Sequence, residues 1–182
     1  EKRQREQVEQ LLGREFRALQ AIDHPSIVQF FGVVIDHPAW VCLLMELADA
    51  GSLRQMLDSI DSKSTIVGEP STQISLAHDI ARGLAYCHSL TPQPLLHHDI
   101  KSANVLLFSR DEDGKQRLTA KLSDFGLAVG VSGTTTAAAT TRTKTHAAGG
   151  TFAYRAPETF SDKYSTASEV YSYSIVVWEL LT

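Results

Sequence analysis

The sequence predicts an α+β fold, and three patterns predict it. Apolar residues recur at helical spacing over Ile74 to Leu90 and fill nearly all of Ser168 to Thr182. Two short apolar runs, Val105 to Phe108 and Leu118 to Leu122, flank Asp111-Glu112-Asp113-Gly114 as the arms and turn of a hairpin. Two further strand-like runs, Ile27 to Ile35 and Trp40 to Leu47, flank Asp36-His37-Pro38. The chain has 182 residues, enough for one domain with a real core. Its composition is 43% hydrophobic and 21% charged with a formal net charge of -4, so it is an ordinary globular chain with no basic surface for nucleic acid or anionic lipid. The longest apolar run, Ile175 to Trp178, is far too short to span a bilayer. Cys42 and Cys87 sit among apolar neighbours and read as buried thiols in a reducing compartment.

Each element has a local reason. Residues Glu1 to Ile22 read as an amphipathic helix with Val8, Leu11, Leu12, Phe16, Leu19 and Ile22 on one face. Glu15 follows Val8 by seven positions and falls on that stripe. It either reaches solvent at the stripe's edge or meets a cation inside. Asp23-His24-Pro25 ends the helix, because the residue before proline avoids the helical region. After the strand-like runs, Gly51-Ser52 opens a short helix from Leu53 to Ile60, and a polar loop runs from Asp61 to Ser71. In the helix from Ile74, the expected buried face holds Ile74, Ala77, Ile80, Ala81, Leu84 and Cys87 or His88, and Thr91-Pro92-Gln93-Pro94 breaks it. A Thr/Ala/Gly-rich loop from Val131 to Gly150 carries seven threonines between Thr134 and Thr145. The last helix is so apolar that burial on all sides is expected.

Ionisable and polar groups cluster where the pattern is least regular. His97-His98-Asp99-Ile100-Lys101-Ser102-Ala103-Asn104 lies between apolar runs. Asp124-Phe125-Gly126 follows the second hairpin arm, and Ala156-Pro157-Glu158 comes after the threonine-rich loop. Each tripeptide alone is a weak signal; three in order on fitting elements are a strong one. Together they resemble the catalytic loop, the metal-binding motif and the end of the activation segment of a eukaryotic protein kinase. The resemblance covers essentially the whole chain. Its Ile27-Val28-Gln29-Phe30-Phe31-Gly32 run and Glu46-x-x-x-x-Gly51-Ser52-Leu53 look most like the tyrosine-kinase-like group of Ser/Thr kinases.

That resemblance implies a two-lobed kinase fold, truncated, with residues 1–47 as the remainder of a small β lobe and 48–182 as hinge and partial helical lobe. It implies ATP and Mg²⁺ as cofactors and a protein substrate with Ser or Thr as acceptor. Asp99 would orient the substrate hydroxyl and take its proton. Lys101 would neutralise the transferred phosphoryl group, and Thr151 would bond both. Asn104 and Asp124 are hard oxygen ligands suited to Mg²⁺, brought together by the hairpin although twenty positions apart. Glu46 and Ala48 would offer hinge backbone groups to adenine. Met45 would stand at the gatekeeper position, Leu106 under the base and Ser123 beside Asp124; Met45 and Leu106 are equally ordinary core residues. Glu15 corresponds to the glutamate that pairs with a phosphate-binding lysine. Leu19, Phe30, His97 and Phe125 correspond to the stacked regulatory spine.

Three departures qualify this. His98 stands where most kinases carry an arginine that receives an activation-loop phosphate, and a mostly neutral imidazole is a poor receiver. Loop phosphorylation is therefore expected not to be the main on-switch, so that alanine at every loop threonine leaves activity in place. Glu169 replaces the aspartate that normally ties the catalytic loop from below. The extra methylene can cost about 1–3 kcal/mol in a tight core. Finally, no glycine-rich loop or strand lysine precedes Glu15, and the later helices of the large lobe are absent. Upstream and downstream kinase segments are thus expected to be missing, and the chain by itself is expected to transfer little phosphate. A pseudokinase scaffold is the alternative. Either reading places the chain in the cytoplasm, or on the cytoplasmic side of a membrane if the full-length protein carries an anchor.

Overall fold

A computed structural model of the chain describes residues 22–37, 40–59, 69–112, 114–125, 129–130, 151–161 and 163–182, with the backbone alone at 33–37, 40–42, 129–130 and 151. The expected first helix, Glu15 and Leu19 lie outside these residues, as do most of the 61–71 loop and the threonine-rich loop. The two strand-like runs form β1 (Phe30–His37) and β2 (Trp40–Met45), an antiparallel pair with Val33 opposite Leu43. Ser52 caps α1 (Leu53–Asp58): its hydroxyl accepts the Gln55 N–H while the Gln55 side chain accepts the Ser52 N–H. The next helix, α2 (Pro70–Ser89), starts four residues before the expected Ile74. Proline is suited to a first helical turn, where its missing N–H leaves nothing unpaired.

The hairpin is longer than the apolar arms alone suggest. Strands β4 (Val105–Glu112) and β5 (Lys115–Leu122) pair in register from Val105–Leu122 to Glu112–Lys115. The polar tip joins because backbone pairing continues beyond the buried face. Gly114 turns the chain with φ +74°, a conformation that costs glycine little. Val105, Leu107, Leu118, Ala120 and Leu122 point inward at alternate positions. Both edges of the hairpin are tied down. The segment 26–28 runs beside β5, with Val28 N–H on Leu122 O (2.9 Å) and Leu122 N–H on Ser26 O (3.0 Å). The start of α1 runs beside β4, with Leu107 N–H on Gly51 O (2.8 Å). The dipeptide strands β3 (Leu95–Leu96) and β6 (Val129–Gly130) pair antiparallel.

The core lies between the hairpin and three helices: α1 gives Leu53 and Leu57, α2 gives Leu76, Ile80 and Leu84, and α3 (Thr166–Leu181) gives Val176 and Leu180. The buried stripe of α2 differs from expectation. Ile74 is 67% exposed and Leu76 takes its place, so the stripe runs 76, 80, 83, 84, 87. Helix α3 also departs. Among the described residues Val170, Tyr171, Trp178 and Leu181 are exposed, so one face alone is covered.

Gly83 marks the closest approach of α2 to the hairpin. A Cβ there would sit 2.6 Å from the Ser26 carbonyl oxygen and 3.1 Å from Leu122 Cδ1. Alanine is the better helix former by about 1 kcal/mol, but the clash is with backbone that is itself bonded to β5. Gly83→Ala is expected to destabilise the chain by about 1–3 kcal/mol, read as a lower urea midpoint. An unchanged or higher midpoint would contradict that packing.

Candidate active site

The turn after β3 gathers the polar cluster. His97 is fully buried. Its Nε2 bonds Ser123 O at 2.8 Å and its ring lies 4.6 Å from Phe125, so the 97–104 segment is anchored to the 123–125 segment. This places two of the four expected spine residues in contact. His98 adopts φ +65° and Asp124 φ +60°, left-handed conformations that cost non-glycine residues on the order of 1–3 kcal/mol. Tertiary bonds hold the first: the His98 N–H donates to Glu169 Oε1 at 2.7 Å. Glu169 Oε2 lies 2.8 Å from His88 Nε2. The longer glutamate therefore reaches both the catalytic turn and α2 from a nearly buried position.

Asp99 is 4% exposed. Its Oδ2 accepts from Lys101 Nζ (2.6 Å) and from Asn104 Nδ2 (3.0 Å), and Asn104 Nδ2 also holds the Asp99 carbonyl (2.8 Å). Among the described residues, Asp99 Oδ1 is buried without a hydrogen-bond partner. A solvent-shielded carboxylate oxygen left unpaired is costly. Asn104 is buried in the 3₁₀ turn Ser102–Asn104. Its carbonyl accepts both the N–H and the hydroxyl of Ser123, each at 2.9 Å. That double bond across the base of the hairpin puts Asp124, which is exposed, one residue from Asn104's partner. Asn104 and Asp124 are thus close along the fold, and an amide oxygen and a carboxylate are donor types that fit Mg²⁺.

The expected nucleotide contacts are less completely assembled. Met45 is 40% exposed, and Ala48 and Leu106 are half-buried. Glu46 N–H is already bonded to Gln29 O (3.0 Å). The Glu46 carboxylate was not singled out by its sequence context. It binds Lys121 Nζ through both oxygens at 2.7 Å and accepts the Gln29 N–H at 2.7 Å. Only the charges of a Glu and a Lys 75 positions apart hinted at this pair. Ser102 and Tyr154, which belong to separate sequence motifs, bond to each other at 3.0 Å. Thr151 opens the 3₁₀ turn Thr151–Tyr154.

His98 is half-buried. Its ring lies 4.7 Å from that of Tyr164, whose hydroxyl accepts from Arg155 at 2.7 Å. Burial pushes the imidazole pKa down, more than neighbouring Glu169 raises it. A histidine with a depressed folded-state pKa takes up protons in the unfolded chain first. Its contribution is therefore present above about pH 6.5 and lost as pH falls through the lower folded value. His24, lowered chiefly by burial, acts in the same sense. The thermal midpoint is expected to drop below pH 6.5. His98→Asn, which tolerates the left-handed backbone but cannot titrate, should flatten the part of that slope due to His98. Parallel melting-temperature curves for the two proteins would rule this out.

Helices beside small antiparallel sheets hold a buried aspartate clamped by lysine and asparagine, with Asp124 and Phe125 close to it in the chain's fold. Residues 1–182 match the protein kinase domain, and the chain belongs to that family. It is 34% identical over 173 residues to a mitogen-activated protein kinase kinase kinase of Drosophila melanogaster, covering 93% of this chain and 13% of the relative. It is 33% identical to mitogen-activated protein kinase kinase kinase 10 of Homo sapiens (93% and 16%). It is 32% identical to the serine/threonine-protein kinase CTR1 of Arabidopsis thaliana (93% and 18%). These relatives belong to the tyrosine-kinase-like group that the sequence resembles. The chain spans less than a fifth of the length of each. Among the described residues no helix is long and apolar enough to cross a membrane.

Proposed function

We propose that the protein carrying this chain transfers the γ-phosphate of ATP to serine or threonine hydroxyls of a protein substrate. The observation that carries the reading is the Asp99 carboxylate: one oxygen is locked by Lys101 and Asn104, and the other is buried and unpartnered. A substrate hydroxyl donating to Asp99 Oδ1 would be oriented for attack and would lose its proton to that oxygen. Lys101, held at 2.6 Å, keeps a positive charge beside the acceptor. Asn104 and Asp124 would hold Mg²⁺, which when bound neutralises the phosphate oxygens. The hinge backbone of Glu46 and Ala48 would meet adenine, with Met45, Leu106 and Ser123 around the base and Glu15 toward the phosphates. Residues 1–47 would then belong to the small lobe and 48–182 to the hinge and large lobe. Lys101 and the Gly-Thr-x-x-Tyr run at 150–154 favour Ser/Thr acceptors. The free, buried Cys87, its thiol pKa pushed up to about 12 by burial, suits a reducing cytoplasmic setting.

The test is phosphate transfer by the full-length gene product from labelled ATP to a mixed protein substrate, followed by phosphoamino-acid analysis. Label on serine or threonine, lost on chelation of Mg²⁺ and in Asp99→Asn, is the expected result. Nucleotide binding without Asp99-dependent transfer would point instead to a scaffold, and phosphotyrosine as the main product would overturn the acceptor class.

A further inference from the structure

Four segments far apart in sequence meet at one buried hydroxyl. Tyr154 Oη lies 3.0 Å from Ser102 Oγ and 2.8 Å from both carboxylate oxygens of Glu179. Glu179 Oε1 in turn accepts from the Arg54 guanidinium at 2.8 Å. Ser102 is fully buried and Tyr154 is 9% exposed. The proton inventory sets the direction of the chain. A carboxylate only accepts, so the Tyr154 O–H is given to Glu179. Tyr154 Oη is then left as an acceptor, and the Ser102 O–H must donate to it. Burial raises the Tyr154 pKa, which keeps this phenol protonated as the direction requires.

Ser102 is the first residue of the turn that ends at Asn104, and it directly follows Lys101. Those two neighbours are the groups that grip Asp99 Oδ2. Glu179 is anchored on α3 and Arg54 on α1, so the far end of the chain is tied to the core. We infer that Tyr154 is a positioning residue: through Ser102 it holds the turn that orients Lys101, Asn104 and therefore Asp99. Tyr154 would then set the geometry of the phosphoryl-transfer machinery from outside it. This rests on the kinase reading of Asp99 given above.

Tyr154→Phe keeps the ring in the core and removes only the hydroxyl. In the full-length gene product it is expected to lower kcat about tenfold while the KM for ATP stays within about twofold. Ser102→Ala should give a similar loss, and the double variant should be no worse than the poorer single one, because both break the same link. In an Asp99→Asn background, Tyr154→Phe should cost less than it does in the parent, because part of what it positions is already lost. The inference is overturned if Tyr154→Phe only lowers the melting temperature and leaves kcat intact well below it. Multiplying losses in the double variant would overturn it too. If Asp99→Asn itself has no effect on transfer, the kinase reading fails; if it abolishes transfer and Tyr154→Phe does nothing, the positioning role alone fails.

Discussion

Asp99→Asn is expected to lower kcat by about 10²–10⁴-fold, the range for losing a positioned general base. The substitution is nearly isosteric, so the fold should survive and circular dichroism should match the parent. The loss follows from the bonds around the carboxylate. Lys101 Nζ and Asn104 Nδ2 both donate to the same oxygen, so an asparagine would turn its carbonyl oxygen toward them. Its amide nitrogen would then occupy the position now held by Oδ1, the buried oxygen without a partner. An amide there donates, whereas the incoming hydroxyl needs an acceptor. The KM for ATP should move little, because in the proposed reading Asp99 would meet the hydroxyl rather than the nucleotide. Steady-state transfer by the full-length gene product measures both constants. A kcat within about threefold of the parent would remove Asp99 from the chemistry.

The largest stability effect is expected at Glu169. Glu169→Ala should cost about 2–5 kcal/mol, because two partly buried hydrogen-bonding groups each lose their acceptor, at about 1–3 kcal/mol apiece. Two groups lose their acceptor at once: the His98 N–H, held at 2.7 Å in a left-handed backbone, and His88 Nε2 at 2.8 Å. Neither can turn to water, because His88 is only partly exposed and Glu169 nearly buried. Glu169→Gln keeps one carbonyl oxygen for the His98 N–H and is expected to lose only about 1 kcal/mol. Urea unfolding of both variants separates the cases. A Glu169→Ala midpoint equal to that of Glu169→Gln would mean that the carboxylate does not hold the turn.

The same residue shows what sequence reading reaches. That a carboxylate stands at 169 below the catalytic turn was readable from its place in the motif series. The extra methylene suggested a strained fit, whereas the glutamate spans 71 positions of chain to the His98 N–H and also reaches His88. The α2 stripe was legible in period but not in phase. Ile74 and Leu76 fit helical spacing about equally, and the choice fell to which side the β4–β5 hairpin covers. Tyr154 and Ser102 each stand in a recognisable motif, but a tyrosine and a serine 52 positions apart have no pattern that pairs them.

Sequence alone thus determined the order of the elements, the hairpin that brings Asn104 and Asp124 together, and the Asp99–Lys101–Asn104 cluster. Each depends on neighbours within a turn or a strand pair, where spacing dictates geometry. Tertiary structure alone decided that Asp99 keeps one oxygen unpaired among the described residues, that Glu46 clasps Lys121, and that Glu179, Tyr154 and Ser102 form one chain of hydrogen bonds. Those depend on burial and on contacts between distant segments, which come into being only when the helices pack on the hairpin and exclude water.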